Sequence, residues 1–132
     1  MKDYSTSKIR RILVVENETE ISPLISRMLD SETVRVDTAN DGETAEKMLQ
    51  ARSYALCIID LETFMAKDKQ LYQYMNEKYP DLLNGAIFTG WGIVNGDAKV
   101  FMAQTGRQFL HKPFPPDRLK EMVLNTIKHT ND

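Results

Sequence analysis

Residues 55–60, ALCIID, end an apolar run in a single aspartate, and the chain goes on with Leu61 and a second acid, Glu62. A carboxylate at the exit of a buried strand is a nucleophile that can take up a phosphoryl group, provided that cations neutralise the charge that gathers there. Three other stretches offer complementary groups. VVENE ends in Glu16, Asn17 and Glu18, GAIFT ends in Thr89 followed by Gly90, and RQFLH runs into Lys112 and Pro113. Taken singly, each is ordinary: Asp60 and Thr89 read equally well as helix caps or turn residues, and Lys112 as a solvated lysine. Their conjunction has meaning only if the elements that carry them share one edge.

Periodicity says that they do. Short aliphatic runs at residues 11–15, 34–38, 55–60, 85–89 and 107–111 have strand length. Between them, Ile21, Leu24, Ile25, Met28 and Leu29 follow one helical face, and Ala45, Met48 and Leu49 begin another. Leu71 with Met75, Ala98 with Phe101 and Met102, and Leu119 with Met122, Val123 and Ile127 supply three more. Strand and helix alternate five times, which predicts an α/β fold: a five-stranded parallel sheet with helices on both faces. In such an open sheet, ligands gather beyond the carboxyl ends of the strands. That edge collects Glu16, Asn17, Glu18, Asp60, Thr89 and Lys112. DTANDG, residues 37–42, reads as a plain turn into the second helix, and NGD, residues 95–97, as a helix start.

The remaining composition mostly excludes. A chain of 132 residues suits one domain, 1–132, with a core over about 9–129 and fraying at the first eight residues and at KHTND. Seventeen basic against nineteen acidic residues leave no basic excess, which argues against direct nucleic-acid binding. No apolar run spans a membrane and MKDYSTSKIRR lacks the core of a signal peptide, so a cytoplasmic location is expected. The lone Cys57 excludes an internal disulfide and fits a reducing compartment. His111 and His129 match no zinc spacing, the helical methionines read as core filler, and TGWG lacks a nucleotide-loop pattern.

The four strand ends in this order resemble the receiver domains of two-component response regulators, over nearly the whole chain from Ile12 to about Ile127. Residues 87–114 further resemble receivers attached to hybrid sensor histidine kinases. The resemblance implies a flavodoxin-like (βα)5 fold and a phosphoryl group passed from a histidine kinase, or a histidine phosphotransfer domain, onto Asp60. It implies Mg²⁺ held by Glu16, Asn17, Asp60 and the backbone carbonyl of Glu62, and roles for Thr89 and Lys112 in binding the phosphoryl group. It implies switch positions at Thr89 and Phe109, a cis bond before Pro113, and self-assisted phosphoryl transfer and hydrolysis. The responding surface would be the fourth helix, fifth strand and fifth helix, which is also the face for a homodimer. Because the chain stops after the last helix, either a stand-alone relay or a domain cut from a longer protein is expected.

Two features depart from the family pattern. Asn17 stands where the family usually has an acid, which removes one formal charge from the metal site, and Glu18 either compensates or points to solvent. LETFMA after Asp60 lacks the family's proline-containing turn. These departures keep open a degenerate, non-phosphorylated receiver that acts as a protein-interaction module. A flavin- or nucleotide-binding enzyme on the same fold is less compatible, because the acids of ENETEIS repel a phosphate that brings no metal. Phe109 lacks a hydroxyl to draw it outward, so partial burial is expected without phosphate.

Overall fold

The computed structural model describes residues 9–92, 96–104 and 107–130, with the side chains of the last helix through Ile127. Five strands, β1 (Arg10–Val15), β2 (Val34–Ala39), β3 (Leu56–Asp60), β4 (Ile87–Gly90) and β5 (Gln108–His111), form one parallel sheet in the order β2-β1-β3-β4-β5. Among the described residues six helices accompany them: α1 (Ile21–Leu29), α2 (Gly42–Ala51), α3 (Leu61–Lys78), α4 (Pro80–Asn84), α5 (Gly96–Gln104) and α6 (Pro116–Thr130). Among the described residues, none of these helices is long and apolar enough to cross a membrane.

The strand period of two sorts the core into two layers. Leu13, Val15, Cys57, Ile59 and Phe88 face one side and meet Leu49 of α2, Leu71 and Met75 of α3 and Phe101 of α5. Ile12, Val14, Ile58, Ile87 and Leu110 face the other and meet Ile25 and Leu29 of α1 and Leu119 and Val123 of α6. Because both faces are covered, β3 is buried at all five positions, which is why its sequence is a continuous apolar run rather than an alternation. Cys57 lies in that layer, and burial pushes its thiol up to about 12.

The structure departs from the expected pattern in two places. Leu82 and Leu83 belong to the extra helix α4, with Pro80 in its first turn and Gly85 at its C-cap, so β4 begins at Ile87 rather than residue 85. This helix makes the expected fourth and fifth helices α5 and α6. The third helix, marked in the sequence by Leu71 and Met75, also begins earlier, with the residues directly after Asp60. The left-handed conformation of Lys67, Asp68 and Lys69 breaks that helix after its first turn. Such a conformation is unusual for residues with a Cβ, and three in succession more so. Phe64 anchors the first turn against Phe88 and Phe101, with ring centroids 5.0 and 5.1 Å away.

Register aligns the functional edge. Val15 pairs with Ile59, Asp60 with Thr89, and Gly90 with His111, so the residues that follow β1, end β3 and β4, and follow β5 lie together. The order reverses direction between β1 and β3, the switch point where open sheets leave a crevice.

Candidate functional site

At that crevice Lys112 is 1% exposed, although lysines are seldom buried without partners. Its Nζ lies 2.8 Å from Glu16 Oε1, 2.8 Å from Glu18 Oε2 and 3.1 Å from Asp60 Oδ1. Burial opposes the ammonium charge, but hydrogen bonds to Glu16 and Glu18, with the charge of Asp60, outweigh it and hold the lysine above its usual range. Glu16 is shifted upward, first by burial and also by the nearby Asp60 charge, against the opposing hydrogen bonds from Lys112 and the Glu18 amide. Glu18 is shifted downward by hydrogen bonds from Lys112 and Trp91.

The side chain expected either to compensate or to point to solvent, Glu18, therefore joins the cluster. The indole Nε1 of Trp91 donates to Glu18 Oε2 at 2.9 Å, and the Trp91 ring centroid is 5.8 Å from Lys112 Nζ. Trp91 is 57% exposed and forms the outer wall of the site. Neither contact was legible in the sequence. Trp91 carried only its position two residues beyond Thr89 as a signal.

Asp60 is 3% exposed, and both of its carboxylate oxygens are engaged. Oδ1 accepts from Lys112, while Oδ2 accepts from the Thr63 amide at 3.1 Å and the Thr63 hydroxyl at 2.9 Å. Asp60 is thus the N-cap of α3, the ordinary role that its residue type allowed, and a member of the charged cluster as well. Thr63 went unrecognised in the sequence, although an aspartate followed three residues later by a hydroxyl residue at a helix start was a usable signal.

Asn17 and Glu62 are exposed. They line a neighbouring cleft of about 270 Å³ with Asn40, Asp41, Thr63 and Lys67. Helical carbonyls point toward the helix C-terminus. Glu62, in the first turn of a helix capped by Asp60, therefore aims its carbonyl away from the Asp60 carboxylate. The helical conformation of this first turn fixes that direction. Thr89 is buried beside Asp60, and the Lys112–Pro113 peptide is cis. Phe109 is half-buried, its ring so near Gly90 that a Cβ there would come within 3.3 Å of it. His111 is exposed, with Nδ1 2.8 Å from the Lys112 carbonyl oxygen, while Asn95 and the His129 side chain lie outside the described residues.

Carboxylate oxygens of Glu16, Glu18 and Asp60 lie within 4.8 Å of one another. Three carboxylates and one ammonium leave a formal excess of two negative charges, and hard oxygen donors of this kind suit a divalent cation such as Mg²⁺.

A family model for the response regulator receiver domain matches residues 12–124. The alginate biosynthesis transcriptional regulatory protein AlgB of Pseudomonas putida is 31% identical over 111 residues, 83% of this chain and 24% of that protein. Its counterpart in Pseudomonas aeruginosa is 30% identical over 119 residues, 89% of this chain and 26% of that protein, so the chain spans about a quarter of the relatives' lengths. Among solved structures, a CheY-like response regulator receiver domain protein from Methanospirillum hungatei superposes with a TM-score of 0.77 at 19% identity, covering 94% of this chain and 98% of that one. The receiver domain of an HD domain-containing protein from Pseudomonas fluorescens gives 0.79 at 17% identity, with coverages of 94% and 98%; these two likenesses establish the fold alone. The family match covers the very strands whose ends build the charged cluster, and the chain belongs to the response regulator receiver domain family of two-component signalling.

Proposed function

We propose that Asp60 is the phosphoacceptor, receiving its phosphoryl group from the phosphohistidine of a histidine kinase or histidine phosphotransfer domain. The observation that carries this is the contact between Asp60 Oδ1 and the buried Lys112 ammonium, 3.1 Å apart among three carboxylates at the sheet's switch point. An Asp60 oxygen attacks phosphorus, the bond from phosphorus to the donor nitrogen breaks, and the imidazole leaves with the electron pair. Lys112 turns from a carboxylate to a phosphoryl oxygen as a point charge, and the Thr89 hydroxyl donates to another. Mg²⁺, when bound, neutralises phosphoryl charge at this site. Glu16, Glu18 and Asp60 are the carboxylates that converge for it, and Asn17 and Glu62 line the adjoining cleft. The same groups assist hydrolysis of the acyl phosphate, so the domain catalyses its own turnover without acting on a further substrate. Movement of Thr89 toward the phosphoryl group would pull Gly90, Trp91 and the half-buried Phe109, and with them the face of α5, β5 and α6, the face also proposed for a homodimer.

Incubation with acetyl phosphate and Mg²⁺ tests this. The intact mass should rise by one phosphoryl group, with the label on Asp60. No gain, or a label elsewhere, overturns the assignment.

A further inference from the structure

Both carboxylate oxygens of Asp60 are engaged by protein donors, and the residue is buried. Lys112 holds Oδ1, and Thr63 holds Oδ2 with two donors. Thr63 also lines the cleft that contains Asn17 and Glu62, so the residue that donates to the buried carboxylate borders that cleft as well. Behind it the first turn of α3 ends at Ala66 (φ −66°, ψ 159°), and Lys67, Asp68 and Lys69 follow at φ 54°, 57° and 63°. This irregular segment separates the turn at Asp60 from the regular helix that carries Leu71 and Met75.

We infer that the first turn of α3 is a latch. In the closed state seen here Thr63 occupies Asp60 Oδ2, and the turn releases that oxygen by unwinding at the Ala66–Lys69 break. Unwinding also frees the Glu62 carbonyl from its helical direction, so one motion exposes the nucleophile and delivers a further oxygen toward the carboxylate cluster. Thr63 is a positioning residue, acting on Asp60 and not on the donor. Uptake of a phosphoryl group is slowed by the fraction of molecules that are closed. The latch rests on Asp60 being the acceptor.

The test compares the 132-residue chain with Thr63→Val, which removes the hydroxyl donor at nearly constant shape, and Thr63→Ser, which keeps it. Each is given acetyl phosphate and Mg²⁺, and the rate of mass gain is read. Loss of one hydrogen bond to a charged group should speed uptake by Thr63→Val on the order of tenfold, with Thr63→Ser restoring the wild-type rate. Uptake at equal or lower rates in Thr63→Val overturns the latch and leaves the acceptor assignment standing. Uptake by none of the three overturns that assignment and the latch with it. A readout independent of any variant is the Thr63 amide, whose hydrogen exchange should accelerate when wild-type protein binds beryllofluoride with Mg²⁺. Unchanged or greater protection overturns the latch even if Thr63→Val fails to fold.

Discussion

Two helices of this protein start with nearly the same four residues. Asp41-Gly42-Glu43-Thr44 opens α2 and Asp60-Leu61-Glu62-Thr63 opens α3, and in both the aspartate side chain accepts from the threonine amide, at 2.8 and 3.1 Å. Asp41 lies exposed at its helix start. Around Asp60 there are Lys112, Glu16 and Thr89, all buried. The same local motif is therefore a plain cap in one place and a charged, enclosed carboxylate in the other. Capping is written within four residues, whereas reactivity comes from partners such as Lys112, 52 residues further along the chain.

The widest gap between the two should be chemical. Asp60→Asn should abolish labelling by acetyl phosphate and Asp41→Asn should leave it intact, with unchanged circular dichroism in both because asparagine caps as well as aspartate. Equal labelling of both variants would mean that the enclosed cap is no more reactive than the open one.

Stability should differ next. Lys112→Met leaves the carboxylates of Glu16, Glu18 and Asp60 without their ammonium, and breaking such a buried set costs about 3–5 kcal/mol in urea unfolding. Lys47→Met, near the Asp41 cap, should stay within about 0.5 kcal/mol. Added Mg²⁺ should recover part of the loss in Lys112→Met, since a cation that binds only the folded state stabilises it. A loss below about 1 kcal/mol without metal would place that cluster in the weak class of surface pairs.

Asp41→Ala should cost about 1 kcal/mol, the usual worth of an N-cap. Hydrogen bonding to Thr44 lowers the Asp41 pKa below its ordinary 3.8. A depressed carboxylate stabilises above its unfolded pKa, and that contribution is lost as pH falls through the folded value. The difference between wild type and Asp41→Ala should therefore be full near neutrality and shrink in acid below pH 3.8. A gap that widens on acidification would show that the charge opposes the cap. The smallest effect belongs to Thr44→Val, within about 0.5 kcal/mol, because the Thr44 amide that Asp41 accepts from survives the change.

The alternation of short aliphatic runs with helical spacing was enough to establish the parallel sheet, because strands covered on both faces must be continuously apolar and parallel strands need crossovers. Strand ends followed from the same pattern, which is why Asp60, Thr89 and Lys112 could be named together. The helix α4 was hidden because five residues with one buried leucine, Leu83, carry too little period to separate from the strand that follows. Glu18 was undecided for a different reason. Nothing within its own loop distinguishes a carboxylate that meets Lys112 from one that meets water.

What the sequence by itself determined about this receiver domain is therefore whatever short-range repetition dictates: element order, the faces of the helices and the list of groups at the carboxyl edge. Tertiary structure alone decided which carboxylates share the lysine, that Glu18 is one of them, and that Thr63 donates to Asp60. The physical reason is range. Periodic burial is a sum over neighbours along the chain, but a hydrogen bond or ion pair needs two groups within about 3 Å, and here the register of four strands brings them there.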